Sequence, residues 1–69
     1  MIKKNILSNG ICIVSLKKRI NNIVLLSITD FNNSGKIIFD LSSKKIIGDQ
    51  LGLSFIDDDL KIIEAYIAP

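Results

Sequence analysis

The side chains best suited to chemistry in this sequence are basic, and they occur in two short clusters. Lys17, Lys18 and Arg19 form the denser cluster, and Lys44 and Lys45 form the other. An arginine guanidinium offers a fork of donors to a phosphate, whereas a lysine offers a point charge. The clusters therefore predict a binding site for an anion, such as a phosphate or a nucleotide. A simpler and more common interpretation is that these lysines blunt strand edges and keep the chain soluble.

Charge is distributed unevenly along the chain. Residues 1–36 hold six basic side chains and one acid, and residues 37–69 hold three basic side chains and six acids. The two halves therefore have opposite net charges within a total of +2. Opposite patches of this kind can also steer one subunit onto another.

The main alternative is a small nucleic-acid-binding β-barrel that uses its lysine-rich turns. Proteins that bind single strands usually combine basic grooves with aromatic side chains on which bases stack. Phe39 and Phe55 fall on the inward faces of predicted strands, which leaves Phe31 and Tyr66 for stacking. The isoelectric point of about 8.9 is also modest for this class of protein.

Residues for catalysis or metal binding are sparse. The chain has no histidine, so it lacks the commonest general base. Because it also has only one cysteine, it lacks the usual ligands of a zinc site. Cys12 lies among apolar residues, where a cysteine behaves as a small hydrophobic side chain. Asp57, Asp58 and Asp59 could ligate a hard cation, but such a run more often forms a turn or begins a helix. We therefore expect no enzyme activity, no metal and no cofactor.

The size of the chain predicts self-association. A sequence of 69 residues has room for one small β domain, residues 1–69, whose isolated core is marginally stable. One cysteine cannot form an internal disulfide, and fifteen isoleucines are more than a small sphere can bury. Association with a second copy is then the remaining source of stability, and a two-fold dimer is the commonest form. The expected interface residues are Ile23, Leu25, Ile38, Ile62 and Tyr66.

Turn signals recur at short intervals along the sequence, so we expect short strands to position the candidate binding and interface residues. Asn9 and Gly10 stand between two apolar segments, which is a strong hairpin signal. Runs rich in β-branched and aliphatic side chains predict strands over residues 23–30, 36–42 and 51–56. The short connections make consecutive strands neighbours. The sequence therefore predicts an all-β fold, a small antiparallel meander or barrel of about five to six strands.

The C-terminal segment, residues 58–68, fits two kinds of structure. Its isoleucine and tyrosine content favours a strand. Its acidic start favours a helix, with Leu60, Ile63 and Ile67 as the buried stripe, and the fold would then be α+β. The side-chain composition tips the prediction narrowly toward a strand.

These observations indicate a small non-enzymatic binding module that works as a homo-oligomer and binds or sequesters a small anionic ligand or a partner protein. The abundance of isoleucine, lysine and asparagine is typical of AT-rich genomes, so a phage or mobile-element protein acting on a host factor fits this description. Polar residues interrupt the apolar residues near the N-terminus, and no apolar run approaches the length of a membrane span. We therefore expect a cytoplasmic protein without membrane contact.

Overall fold

The fold is an antiparallel sheet with one helix packed against one of its faces. The computed structural model describes residues 6–7, 10–30 and 32–68. The elements are β1 (Cys12–Ile20), β2 (Ile23–Asp30), β3 (Asn33–Asp40), β4 (Lys45–Asp49) and α1 (Asp57–Ile67). The four strands pair in sequence order, so the prediction of a mostly-β antiparallel meander is confirmed.

The alternation of residues along β2 places the core on one side of the sheet. Val24, Leu26 and Ile28 are fully buried, and they alternate with residues that are more exposed. On β3, Ile37 and Phe39 lie opposite Leu26 and Val24, and both are fully buried. Successive side chains of a strand point to opposite faces, so these residues share one face. The predicted inward direction of Phe39 is confirmed.

Asparagine shapes the tight turn between β1 and β2. Asn21 has a φ of 54° and lies between Ile20 and Ile23, which pair with each other. A two-residue turn that matches the twist of its strands needs positive φ, and asparagine tolerates this region better than most residues. Asn21 and Asn22 therefore form the hairpin turn between β1 and β2.

An isolated antiparallel bridge joins the two apolar segments of the predicted N-terminal hairpin. Ile6 pairs with Cys12, and the backbone N–H of Leu7 donates to the carbonyl of Ile11 over 2.6 Å. Gly10 takes the positive φ of 73° that the sequence signal predicts, whereas Asn9 lies outside the described residues.

The preference for a strand over residues 58–68 is wrong, because this segment forms α1. Asp59, Ile63 and Ile67 recur at four-residue spacing, and all three are buried. The carboxylate of Asp59 accepts the backbone N–H of Ile56 over 3.1 Å, which satisfies a donor at the start of the helix. Packing of the apolar stripe on the sheet outweighs the β-propensity of the isoleucines.

The strand predicted over residues 51–56 is also absent. The carboxylate of Asp49 accepts the backbone N–H groups of Leu51 (3.0 Å) and Leu53 (2.6 Å), which curls the chain after β4. Gly52 has a φ of 66° within this curl. Leu51, Leu53 and Phe55 nevertheless pack against the core. The described part of the chain thus forms a sheet of four strands instead of the five or six expected.

Candidate functional site: the open face of the sheet

The helix covers one face of the sheet, and no helix or strand of the described residues covers the other face, here called the open face. Cross-strand pairing places four large apolar side chains together on it. Ile20 lies opposite Ile23, and Leu25 lies opposite Ile38. Ile23, Leu25 and Ile38 alternate with buried residues along their strands, so they point away from the core. Ile20 shares their face because it pairs with Ile23. We call Ile20, Ile23, Leu25 and Ile38 the apolar patch.

The apolar patch is substantially accessible to solvent. Ile20 and Ile23 are 56% and 40% exposed, and Leu25 and Ile38 are half-buried. Together with Lys18, which pairs with Leu25, they line a shallow depression of about 150 Å³. The apolar patch is therefore a candidate interaction site.

Gly48 keeps the apolar patch open on its β4 side. It pairs with Ile38, and a Cβ at Gly48 would lie 3.0 Å from Cδ1 of Ile38. That distance is closer than ordinary van der Waals contact, so a side chain here would displace Ile38. The glycine therefore leaves the isoleucine uncovered.

Polar and charged side chains border the apolar patch. Asp40 and Lys45 pair with each other in the same row as Ile23, and Lys36 pairs with Ser27 farther along the sheet. Thr29 and Ser34 continue this polar part of the open face. An apolar centre with a polar border is the usual arrangement of a protein–protein interface.

The structure brings together three of the five residues that the sequence predicts for an interface. Ile23, Leu25 and Ile38 belong to the apolar patch. Ile62 and Tyr66 lie on α1, where they are half-buried and pack against the core on the opposite side of the sheet. The sequence analysis did not include Ile20 in the interface, because its neighbours in the sequence are polar or charged. The one feature that could have indicated its pairing with Ile23 is its position just before a two-residue turn.

The two basic clusters lie at the same end of the sheet. The side-chain amide of Asn22 donates to the Ser42 hydroxyl over 2.9 Å, and the backbone N–H of Leu41 donates to the carbonyl of Asn22 over 2.8 Å. These bonds join the β1–β2 turn, next to Arg19, to the β3–β4 turn, which precedes Lys45. The predicted anion-binding residues Lys17, Lys18, Arg19, Lys44 and Lys45 are all exposed. The prediction that residues 17–19 lie in a lysine-rich turn is wrong, because they lie within β1.

Acidic groups and backbone carbonyls already engage part of this basic end. The ammonium of Lys44 lies 3.3 Å from the carboxylate of Glu64 on α1. Arg19 donates through Nε to the carbonyl of Asn21 over 3.2 Å, and Lys45 pairs across the sheet with Asp40. The two clusters therefore share one end of the sheet but lie at its two opposite edges, on β1 and at the start of β4.

The other residues considered for chemistry are Cys12 and the acidic residues 57–59, and each lies within a regular element of the fold. Cys12 is half-buried, and its thiol lies 3.8 Å from the carbonyl of Gly10. Asp57 and Asp58 are exposed in the first turn of α1, and Asp59 is buried there. Within the described ranges, no three acidic or cysteine side chains are grouped as a metal site would require. The helix that these ranges contain is not long and apolar enough to cross a membrane.

Ser15 offers a test of the packing beside the site. Its hydroxyl oxygen is buried and makes no hydrogen bond in the described structure, although Ser15 pairs with Ser27 across the sheet. A buried hydroxyl without a partner costs free energy, so Ser15→Ala should raise the free energy of unfolding by about 1 kcal/mol. Thermal unfolding measures this as an increase in Tm of about 4–8 °C. An unchanged or lower Tm would show that the hydroxyl has a bonding partner.

Comparison with known proteins yields no match to a family model, to a curated protein or to a solved structure.

Proposed function

We propose that this protein is a non-enzymatic protein-interaction module that works as a homodimer, joined through the apolar patch. The observation that carries the proposal is the cluster of Ile20, Ile23, Leu25 and Ile38 on a sheet face that no described element covers. The small core, with one cysteine and no histidine, supports it because neither a disulfide nor zinc can add stability.

A face-to-face arrangement of two sheets suits the shape of the apolar patch. Sheets in protein interiors pack about 10 Å apart, with their strands rotated by about 30°. A two-fold axis through the apolar patch would set the isoleucines of one copy against those of the other. Each copy would then bury apolar surface at roughly 25 cal/mol per Å².

The charge beside the apolar patch is compatible with such a dimer. Lys18 can lay its alkyl stem along the apolar patch while its ammonium stays in water at the border. A dimer through the apolar patch therefore does not require the ammonium of Lys18 to be buried.

Native mass spectrometry of freshly purified protein tests this proposal. We expect a dominant species of twice the chain mass of 7.7 kDa. The same spectrum reports any small molecule that the dimer retains. A monomer throughout the micromolar range would contradict the proposal.

A second candidate function is the binding of an anion or of single-stranded nucleic acid at the basic end. It is favoured by one observation, the contact between the β1–β2 and β3–β4 turns, which places both basic clusters at the same end of the sheet. The Lys44–Glu64 ion pair weakens it. Phe31, one of the two aromatic residues predicted to be free for stacking, lies outside the described residues, and Tyr66 packs against the core.

Fluorescence anisotropy with a labelled oligonucleotide tests this second candidate. If the basic end binds phosphates, affinity falls steeply between about 50 and 200 mM salt. Replacing Lys17, Lys18 and Arg19 together by glutamate should then abolish binding. Lys61→Glu, an exposed basic residue on α1, is the control and should retain it. Absence of binding at the lower salt concentration would remove this candidate.

A further inference from the structure

The open face carries more basic than acidic charge. Lysines stand at three of its positions and an acid at a fourth, and each pairs across the sheet with another residue of this face: Lys18, Lys36, Lys45 and Asp40. We propose that the interface between two copies binds a small oxyanion, a phosphate or a phosphate ester, between Lys18 of one copy and Lys36 of the other. The inference rests on the proposed homodimer and names the class of ligand that its interface takes.

Pairing two identical faces doubles their charge. Three lysines and one aspartate give each open face a net charge of +2, so two facing copies hold +4. Like charges repel most strongly where apolar surfaces exclude water. Within the described residues, the ion pair that the structure contains is Lys44–Glu64, so none of the open-face lysines is neutralised in this way. A bound anion therefore offsets a repulsion that the dimer itself creates.

The interface must extend beyond the apolar patch. A stable interface involves about 20–30 residues of each partner, which is far more than the four of the apolar patch. The adjoining row across β1, β2 and β3 consists of Ser15, Ser27 and Lys36. This row is included when the two-fold axis runs along β2 between the two sheets, because the sheets then overlap along the full length of their strands. The strands of the two copies also stay aligned, as in the aligned class of sheet packing.

An axis along β2 sets β1 of one copy over β3 of the other. Lys18 then lies one row away from Lys36 of the other copy, which is about 7 Å along the strand. The flexible four-carbon stem of lysine allows the two ammonium groups to converge at the border of the interface. Ser27, half-buried on β2, offers a hydroxyl donor beside them. Two-fold symmetry repeats the arrangement, so the dimer has two equivalent sites.

One copy alone does not provide this site. On a single sheet, Lys18 and Lys36 are two strands and one row apart, which is about 12 Å, and both are exposed. In the dimer they approach each other beside apolar side chains, where charge-assisted hydrogen bonds to phosphate oxygens are stronger than in water. Asp40 also comes near Lys18 of the other copy. One of its carboxylate oxygens already accepts the N–H of Ser42 over 2.9 Å, and Lys45 lies opposite it on β4, so its charge is partly balanced within its own sheet.

Sedimentation equilibrium in phosphate and in chloride of equal ionic strength tests this inference. We expect about 10 mM phosphate to lower the dissociation constant of the homodimer at least about fivefold, because the anion binds the dimer and not the monomer. The same titration with adenosine monophosphate shows whether a phosphate ester enters the site. Lys36→Gln should abolish the effect and, by relieving repulsion, should not weaken the dimer in chloride. Lys61→Gln, which changes an exposed lysine on α1, and Arg19→Gln, at the basic end, are the controls and should respond like the unaltered chain.

Phosphorus-31 NMR of the added phosphate separates this site from binding to a single copy. We expect the unaltered dimer to broaden the phosphate resonance, and Ile20→Lys, which dissociates the dimer, to lose this effect although it adds a positive charge. The inference is overturned if phosphate and chloride give the same dissociation constant, if Lys36→Gln and Lys61→Gln respond alike, or if the Ile20→Lys monomer binds phosphate equally well. A dimer indifferent to phosphate contradicts this inference alone, whereas a monomer in both salts contradicts the homodimer as well.

Discussion

Ile63→Ala is expected to lower the free energy of unfolding by about 2–5 kcal/mol, which is most of the stability that a domain of this size has. Ile63 is fully buried in the core that α1 shares with the sheet. The substitution removes apolar contact area and leaves a cavity beneath the helix. Urea denaturation followed by circular dichroism measures the change as a lower transition midpoint.

Ala65→Lys is the matched control for Ile63→Ala. In α1, Ala65 is exposed, so the lysine should change the free energy of unfolding by less than about 0.5 kcal/mol. If residues 58–68 formed a strand, Ala65 would share a face with Ile63, and the lysine would be as disruptive as the loss of the isoleucine. Similar destabilisation by both variants would therefore contradict the helix.

Ile20→Lys is expected to raise the dissociation constant of the homodimer at least about 100-fold, or about 2.8 kcal/mol. Ile20 is 56% exposed in one copy and belongs to the apolar patch. Two-fold symmetry places the substitution in the interface twice, and each lysine would have to be buried against apolar side chains or excluded. Sedimentation equilibrium should show a monomer at concentrations at which the unaltered chain is a dimer.

Ile47→Lys makes this comparison specific. Ile47 is also 56% exposed, but it lies on β4 outside the apolar patch. The same chemical change at the same exposure should leave the dimer intact. If both variants dissociate it equally, the interface is not the apolar patch, and general loss of surface hydrophobicity explains the result.

The sheet could be predicted from the sequence because its signals are local. Alternating apolar residues define β2, and asparagine marks the tight turn that precedes it. The helix could not be predicted as clearly as the strands, because its isoleucines favour a strand whereas its acidic start favours a helix. The choice depends on contact with the sheet, which brings Ile63 and Ile67 into the core. Residues 51–56 were mistaken for a strand because the carboxylate of Asp49 curls the backbone there.

The apolar patch was partly predictable for the same reason. Period-two alternation identified Ile23, Leu25 and Ile38 as the residues opposite the buried face. Ile62 and Tyr66 joined that prediction only because residues 58–68 were taken as a strand.

The interface of the proposed dimer is tested most directly by isotope-filtered NOE spectroscopy on a mixture of carbon-13-labelled and unlabelled chains. This measurement detects only contacts between copies. We expect contacts among the methyl groups of Ile20, Ile23, Leu25 and Ile38. Val14, Ile47 and Ile56 are also exposed. If the intermolecular contacts of the dimer come from these residues instead, the assignment of the interface is contradicted. If the protein is a monomer without such contacts, the homodimer itself is contradicted.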